Sequence, residues 1–321
     1  MHLAAHALPI AVKLLLAAPL AAQNHPAVPD IWHDRGDIAG LDLATGPGGR
    51  SREPGTDFRF IEESASGTSP KFIVEDERGV RWKVKLGEEG KSETAAARLL
   101  WAAGYIVDED YYRAEMRVRE LKPLARGDRF VAGDVITGAR LERETPDEGS
   151  ATWSWYDNPF VGTREFNGLR VMMALLNNWD LKAVNNHASK APAGGGQYSV
   201  SDLGATFGRT GNTFRRSKGI AADYAAAGLV DKVTATHVDF VLHSRPSVLS
   251  AFHIGNYRFR TRMEQIAREV PLADARWIGE RLGRLSMAQL RDCFRAAGFS
   301  AAEAESYAQS VTQRVAALQR L

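Results

Sequence analysis

One cysteine, Cys293, is all the thiol chemistry in this chain of 321 residues. A single thiol excludes an intrachain disulfide and any multi-cysteine zinc site. Its setting, "LRDCFRAAG", is an amphipathic helical stretch and predicts a buried, inert side chain. Net charge is scarce too. A formal balance of +2 gives no basic field of the kind a dedicated nucleic-acid binder relies on, so no nucleic-acid partner is expected. No apolar run reaches the roughly 20 residues that span a bilayer, and no transmembrane helix is expected. H-E-x-x-H, G-x-x-x-x-G-K-[ST] and G-x-S-x-G are all absent, and the eight histidines show no ligand spacing. An apolar fraction of 44% still suffices for a real core, in one large or two intimate domains.

The first 22 residues, "MHLAAHALPIAVKLLLAAPLAA", contain no acid, are rich in Leu and Ala, and end in small residues. They predict a secretory signal cleaved near Ala22–Gln23, hence an exported, periplasmic or extracellular protein. Lys13 interrupts the apolar stretch instead of preceding it, so an uncleaved N-terminal helix is the competing expectation. Residues 23–56, with "NHPAVPD" and "GPGGRSREPG", read as an irregular arm.

Strand signals follow. "DFRFIEE" and "KFIVEDERGVRWKVKLG" alternate apolar and polar residues, with a hairpin turn at Asp76–Gly79. "SETAAARLLWAAGY" is a helix with Ser92 as N-cap and Gly104 as stop, and "IVDEDYYRAEMRVREL" is further strand. A linker is expected at about 122–162. From about 164 the pattern is mainly helical: "REFNGLRVMMALLNNW", then 263–269, 273–284, 286–297 and 300–320, the last opened by the capping-box sequence "SAAEAE". The fold class predicted is α+β: a small, mostly antiparallel sheet lobe with one helix over 57–121 and a larger helical lobe over 122–321.

Several polar residues gather around these elements: Lys85 in "WKVK", Glu93 in the following helix, "DLKAVN" from Asp180 to Asn185, and "SDLG" with Asp202. Their order and spacing resemble the protein-kinase-like fold, whose catalytic loop has the same Asp-to-Asn spacing and whose magnesium-binding D-F-G stands where "DLG" stands here. The resemblance covers roughly 60–210 and lies nearest to HipA-type toxin kinases and phosphoinositide-kinase-like proteins. The chain also resembles a group of exported bacterial proteins with patterns like its "SGTSPKF", "VRWKVKLG" and "NNWDLK".

The resemblance implies ATP and magnesium as cofactors and a role for each residue. Lys85 would hold phosphates with Glu93 as its partner. Asp180 would take the proton of an acceptor hydroxyl, and Lys182 would stabilise the transferring phosphoryl group. Asn185 and Asp202 would hold magnesium through hard oxygen ligands, with Asn186 replacing Asn185 if the loop is shifted by one. Ser66, Gly67, Thr68 and Ser69 occupy the place of the phosphate-covering loop.

Two departures from the family pattern stand out. Trp179 replaces the basic residue that usually precedes the catalytic Asp. No A-P-E follows "DLGATFG"; instead "RTGNTFRRSKG" packs Arg209, Arg215, Arg216 and Lys218 into a short loop, either a solvated loop or a surface for an anionic acceptor. Three readings stay open: a phosphotransferase with an unidentified acceptor, a pseudokinase-type nucleotide- or partner-binding module, and a non-catalytic periplasmic structural protein in which these residues cap helices and turns.

Overall fold

The computed structural model describes residues 30–65, 69–144, 151–190, 196–210, 216–242 and 254–321. The expected signal, residues 1–22, lies outside them. In chain order the first elements are β1 (Phe58–Ser64), β2 (Lys71–Asp76), β3 (Arg81–Leu86), α1 (Glu89–Ala103), β4 (Asp110–Arg119), β5 (Val131–Ala132) and β6 (Val135–Arg143). The hairpin turn falls where the sequence predicts it: Gly79 N donates to Asp76 O at 2.9 Å, and Gly79 takes φ +74°, a conformation glycine adopts without steric cost.

The sheet, expected to be mostly antiparallel, is closed on itself. Antiparallel pairs β1–β2, β2–β3, β3–β6 and β6–β4, with a parallel pair β1–β4, close five strands into a barrel. Phe58, Phe72, Trp82, Val84, Val118 and Leu141 are among the side chains that fill it, as a barrel this small requires. β6, the closing strand, lies in the stretch expected to be linker. Its alternation is broken at Gly138 (φ +68°), and its outward residues Arg140 and Glu142 are buried charges, so its sequence carries little apolar period.

The second half comprises β7 (Ala151–Thr152), α2 (Arg164–Leu175), β8 (Asn186–Lys190), β9 (Gly196–Val200), α3 (Ala221–Ala226), β10 (Val230–Val233), β11 (His237–Phe240), α4 (Ile254–Glu264), β12 (Val270–Pro271), α5 (Leu272–Leu282), α6 (Met287–Ala296) and α7 (Ala301–Gln319). Ser300 and Glu303 form the predicted capping box, and Ser286 with Gln289 forms another. The helix expected at 263–269 is met only in part: 263–264 are the end of α4, a 3-10 turn covers Gln265–Ala267, and β12 begins at Val270. Cys293 is buried as expected, and burial pushes its thiol up to about 12. None of the described helices is long and apolar enough to cross a membrane.

The chain is therefore a mixed α+β protein with two hydrophobic clusters among the described residues, one inside the barrel and one among the helices. These clusters do not follow the expected two-lobed division. Ala95, Ala96, Leu99, Leu100 and Ala103 of α1 belong to the helical cluster, with residues of α2, α5, α6 and α7. Small side chains let α1 lie close to its neighbours on every side. It starts four residues earlier than predicted, at Glu89, so Ser92 is a buried residue within the helix and not its cap. The stop at Gly104 (φ +114°) is as expected.

The irregular arm wraps around these layers. Asp30 adds to the edge of β9, donating to Gly196 O at 2.9 Å and accepting from Tyr198 N at 2.8 Å. Trp32 Nε1 donates to Ala103 O at 2.9 Å, Arg281 Nη2 to Asp34 Oδ1 at 2.7 Å, and Gln289 Nε2 to Ile38 O and Leu41 O at 3.1 and 2.9 Å. The arm ends on the barrel, where Tyr111 Oη donates to Gly49 O at 3.0 Å.

Candidate functional site

Strand geometry fixes the first half of the site. Alternation sends Trp82, Val84 and Leu86 of β3 into the barrel and Lys83 and Lys85 outward. Lys85 is nevertheless only 3% exposed. Its ammonium lies 2.9 Å from Glu93 Oε2, 2.8 Å from Asp202 Oδ1 and 3.1 Å from Glu89 Oε2. Burial alone would discharge it; Glu93 and Asp202 outweigh that and hold it above the usual lysine range. Glu89, one helical turn before Glu93, is brought down to about 2 because Lys85 and Lys218 outweigh the opposing effect of burial. Lys218 also donates to it directly.

Register extends this cluster across the sheet. Lys85 pairs with Lys71 of β2 on one side and Arg140 of β6 on the other. Lys71 is pushed down by burial and then by the Lys85 charge, as like charges on opposed strand positions require. Arg140 is fully enclosed, with Asp110 Oδ1 at 2.5 Å, Glu142 Oε2 at 2.7 Å and Glu93 Oε2 at 3.5 Å. Burial works against its charge, but these carboxylates hold it well above its usual range. Burial pushes Asp110 up to about 7, aided by Glu93 and Glu142 against Arg140.

The "DLG" turn meets this cluster from the other side. Asp202 sits at φ +51°, ψ +52°, a left-handed conformation that a short polar side chain tolerates best after glycine. It opens a 3-10 turn, Leu203–Ala205, against the start of α1. A Cβ at Gly204 would stand 2.8 Å from Glu89 Cβ, so glycine is what permits this approach. Asp202 remains 49% exposed.

The second half is a loop. After α2, Asn177 turns at φ +53° and donates Nδ2 to Gly208 O at 2.8 Å, while Arg314 of α7 donates to Asn177 Oδ1 at 3.0 Å. Asp180 uses both carboxylate oxygens: Lys182 Nζ binds Oδ2 at 2.8 Å, and Arg260 Nη1 binds Oδ1 at 2.9 Å. Asn185 Nδ2 donates to Asp180 O at 2.9 Å, and Ser201 N donates to Asn185 O at 2.8 Å, tying this loop to the residue before Asp202. Asn186 instead points at Trp153, donating to its carbonyl at 3.0 Å, and is 1% exposed.

Of the glycine-turn residues, only Ser69 lies within the described residues, and its hydroxyl donates to Glu89 Oε2 at 3.2 Å. Ser66, Gly67 and Thr68 lie outside. The basic loop is not a uniformly solvated one. Arg209 pairs with Asp223 at 2.9 Å, Lys218 with Glu89, and Arg216 stacks 4.0 Å over the Trp179 ring; Arg215 lies outside the described residues. A cavity of about 610 Å³ opens beside Ser69, Glu89 and Lys218, walled by Arg126, Arg129 and Phe130.

Among the described residues no cluster of three or more His, Cys, Asp or Glu side chains is fit to hold a metal by itself. Magnesium does not need one, since it ordinarily takes one or two carboxylates and completes its shell with phosphate oxygens and water. One half-exposed carboxylate and a neighbouring amide, Asp202 and Asn185, are consistent with that habit.

Sequence reasoning missed Lys71, Glu89, Arg140 and Arg260. Lys71 sits in "SPKF", directly after the glycine turn, which is a local signal. Glu89 lies four residues after Lys85, and the corrected helix start would have found it. The other two are brought in by strand register and tertiary packing and leave no local trace.

No family model matches the chain, and no curated protein does. Among solved structures it is similar to the Helicobacter pylori proinflammatory kinase CtkA, at 11% identity and a TM-score of 0.49, over 83% of this chain and 98% of that one. A similarity of that size leaves fold and site to be read from this chain's own strands and side chains.

Proposed function

We propose that the chain is an atypical kinase-like phosphotransferase that uses ATP with magnesium and acts on a hydroxyl acceptor, exported with a mature N-terminus near Gln23. One observation carries the reading: a single buried ammonium, Lys85, bridges a strand, the Glu93 carboxylate of the adjoining helix and Asp202 of "DLG". Phosphoryl transfer needs alignment and charge neutralisation more than covalent chemistry, and this arrangement suits that need. Lys85, steadied by Glu93, holds phosphate oxygens. Lys71 adds a second positive charge from the next strand. Asp202 and Asn185 hold magnesium, which supplies charge neutralisation on the phosphates when bound. Asp180 receives the acceptor's hydroxyl proton, and Lys182 faces the transferring group. The acceptor is anionic.

The ion pairs on both Asp180 oxygens favour a second reading, a pseudokinase-type module that binds nucleotide or a partner without turnover.

The test is a nucleotide-dependent thermal shift with and without magnesium, because a ligand that binds only the native state raises its stability. The expected result is a magnesium-dependent rise in wild type that Asp202→Ala loses. Asp180→Ala should retain the rise while phosphate release falls by about 10³-fold. A wild-type shift without any turnover selects the pseudokinase reading. No shift in any of the three proteins removes nucleotide binding from both readings and leaves the non-catalytic structural protein standing.

A further inference from the structure

The proposed chemistry gives no part to Glu89, the third carboxylate on Lys85. Glu93 at 2.9 Å and Asp202 at 2.8 Å both lie closer to that ammonium than Glu89 does at 3.1 Å. The donors that meet on Glu89 come from three separate parts of the chain. Its Oε2 accepts from the hydroxyl of Ser69, at the end of the glycine turn, at 3.2 Å, and faces the Lys85 ammonium of β3. Its Oε1 accepts from Lys218, in the basic segment that follows "DLG". Among the described residues Lys218 pairs with no other carboxylate.

A hydroxyl and two ammonium groups converging on the two oxygens of one anion suit a phosphate as well as a carboxylate. The acid that fills this donor set is not locked into it. The Glu89 side chain is 26% exposed, against 4% for Glu93. It lines the cavity of about 610 Å³, which gives it room to turn. As the first residue of α1, it stays at the positive end of the helix dipole after leaving the three donors. Lys85 keeps Glu93 and Asp202 when Glu89 goes, so its charge is not stranded.

We infer that Ser69, Lys85 and Lys218 together form a phosphate-binding site, and that Glu89 is an internal competitor which a phosphate group displaces towards the cavity. This deepens the phosphotransferase reading and rests on it only for the source of the phosphate, the phosphate chain of a nucleotide. Lys218 becomes a phosphate ligand delivered by the segment after "DLG", so that segment serves the donor of the phosphoryl group. Glu89 sets the affinity: with its carboxylate in place, a phosphate is bound more weakly than the three donors alone would bind it.

Pyrophosphate, without nucleotide or metal, is titrated by calorimetry into wild type, Glu89→Gln, Glu88→Gln and the double variant Glu89→Gln with Lys218→Met, each checked for folding by thermal denaturation. Glu89→Gln keeps the shape of the side chain, and Glu89→Ala takes its place if that variant does not fold. Glu89→Gln should bind pyrophosphate about tenfold or more tighter than wild type. Glu88→Gln removes the neighbouring charge from the wall of the same cavity and should change binding by less than about threefold. Adding Lys218→Met to Glu89→Gln should cost about tenfold, because the lysine then acts on the ligand itself. Equal binding by wild type and Glu89→Gln, an equal gain in Glu88→Gln, or no binding by any protein at millimolar concentration overturns the inference. So does a double variant that binds as Glu89→Gln does, since Lys218 would then be a tether for Glu89 and nothing more. ATP with magnesium is titrated into the same proteins. Tighter pyrophosphate binding in Glu89→Gln with no nucleotide bound by any of them supports the phosphate site and removes the phosphotransferase reading alone.

Discussion

Lys85 and Asp180 each sit among opposite charges, but the elements that deliver those charges differ. Around Lys85 the partners come from a helix packed on every side and a turn pressed against it: Glu89 and Glu93 from α1, and Asp202 from the turn. Around Asp180 they come from its own loop and from α4. Glu89 apart, the first cluster is part of the architecture and cannot be rearranged without moving the barrel. The second rests on two ion pairs, one to Lys182 and one to Arg260.

Removing Arg140 should break the contrast hardest. Arg140→Met leaves Asp110, Glu142 and Glu93 buried without their shared cation and should cost about 3–5 kcal/mol, measured by chemical denaturation. A loss under about 1 kcal/mol would mean that the cluster is not structural. Gly204→Ala comes next. Its Cβ would crowd Glu89, so either the turn or the start of α1 must yield, at about 1–3 kcal/mol. Because that shift would also move Asp202 off Lys85, the magnesium-dependent nucleotide shift should weaken with it; a variant that loses stability alone would uncouple the two.

The smallest effect concerns pH and sharpens the comparison. Asp110 is raised from 3.8 to about 7 in the folded state, so the folded chain binds more protons than the unfolded one between those values. Its contribution to stability is complete below the unfolded pKa and is lost as pH rises through about 7. Glu142 and Glu89, both brought down to about 2, contribute in the opposite sense: their stabilisation is present above the ordinary glutamate range and is lost as pH falls towards 2. Asp110→Asn should therefore flatten the dependence of stability on pH between about 5 and 7 and leave the acid limb intact, as denaturation at several pH values would show. An unchanged slope would place the titration elsewhere.

What the sequence reveals of this molecule follows the range of the interactions involved. Lys85, Glu93 and Asp202 were legible because strand alternation, helix start and turn chemistry are local, and the structure brings those three together. The capping box at Ser300, the stop at Gly104 and the turn at Asp76–Gly79 were legible for the same reason. The closure of the barrel was not. It depends on β6, whose outward charges are neutralised by residues on other strands and whose alternation Gly138 interrupts. Arg140 and Arg260 were invisible because cross-strand register and the packing of α4 leave no spacing to read. Ser92 misled because a serine beside acidic residues has the composition of a cap, although the helix had already begun at Glu89.

The arm bears on how the molecule comes to be made. Asp34 is bonded to Arg281, and the carbonyls of Ile38 and Leu41 to Gln289, residues that a ribosome adds some 250 positions later. Contacts of such separation form slowly, because a long loop must close before they repay its entropy. The barrel strands and α1 are synthesised well before the helices whose cluster α1 joins. Until α5 and α6 emerge, the arm has no seat there, and the apolar side of α1 lacks part of its cover. The arm from Asp30 onward can therefore dock on α5 and α6 only after both have been made, although it precedes every strand of the barrel.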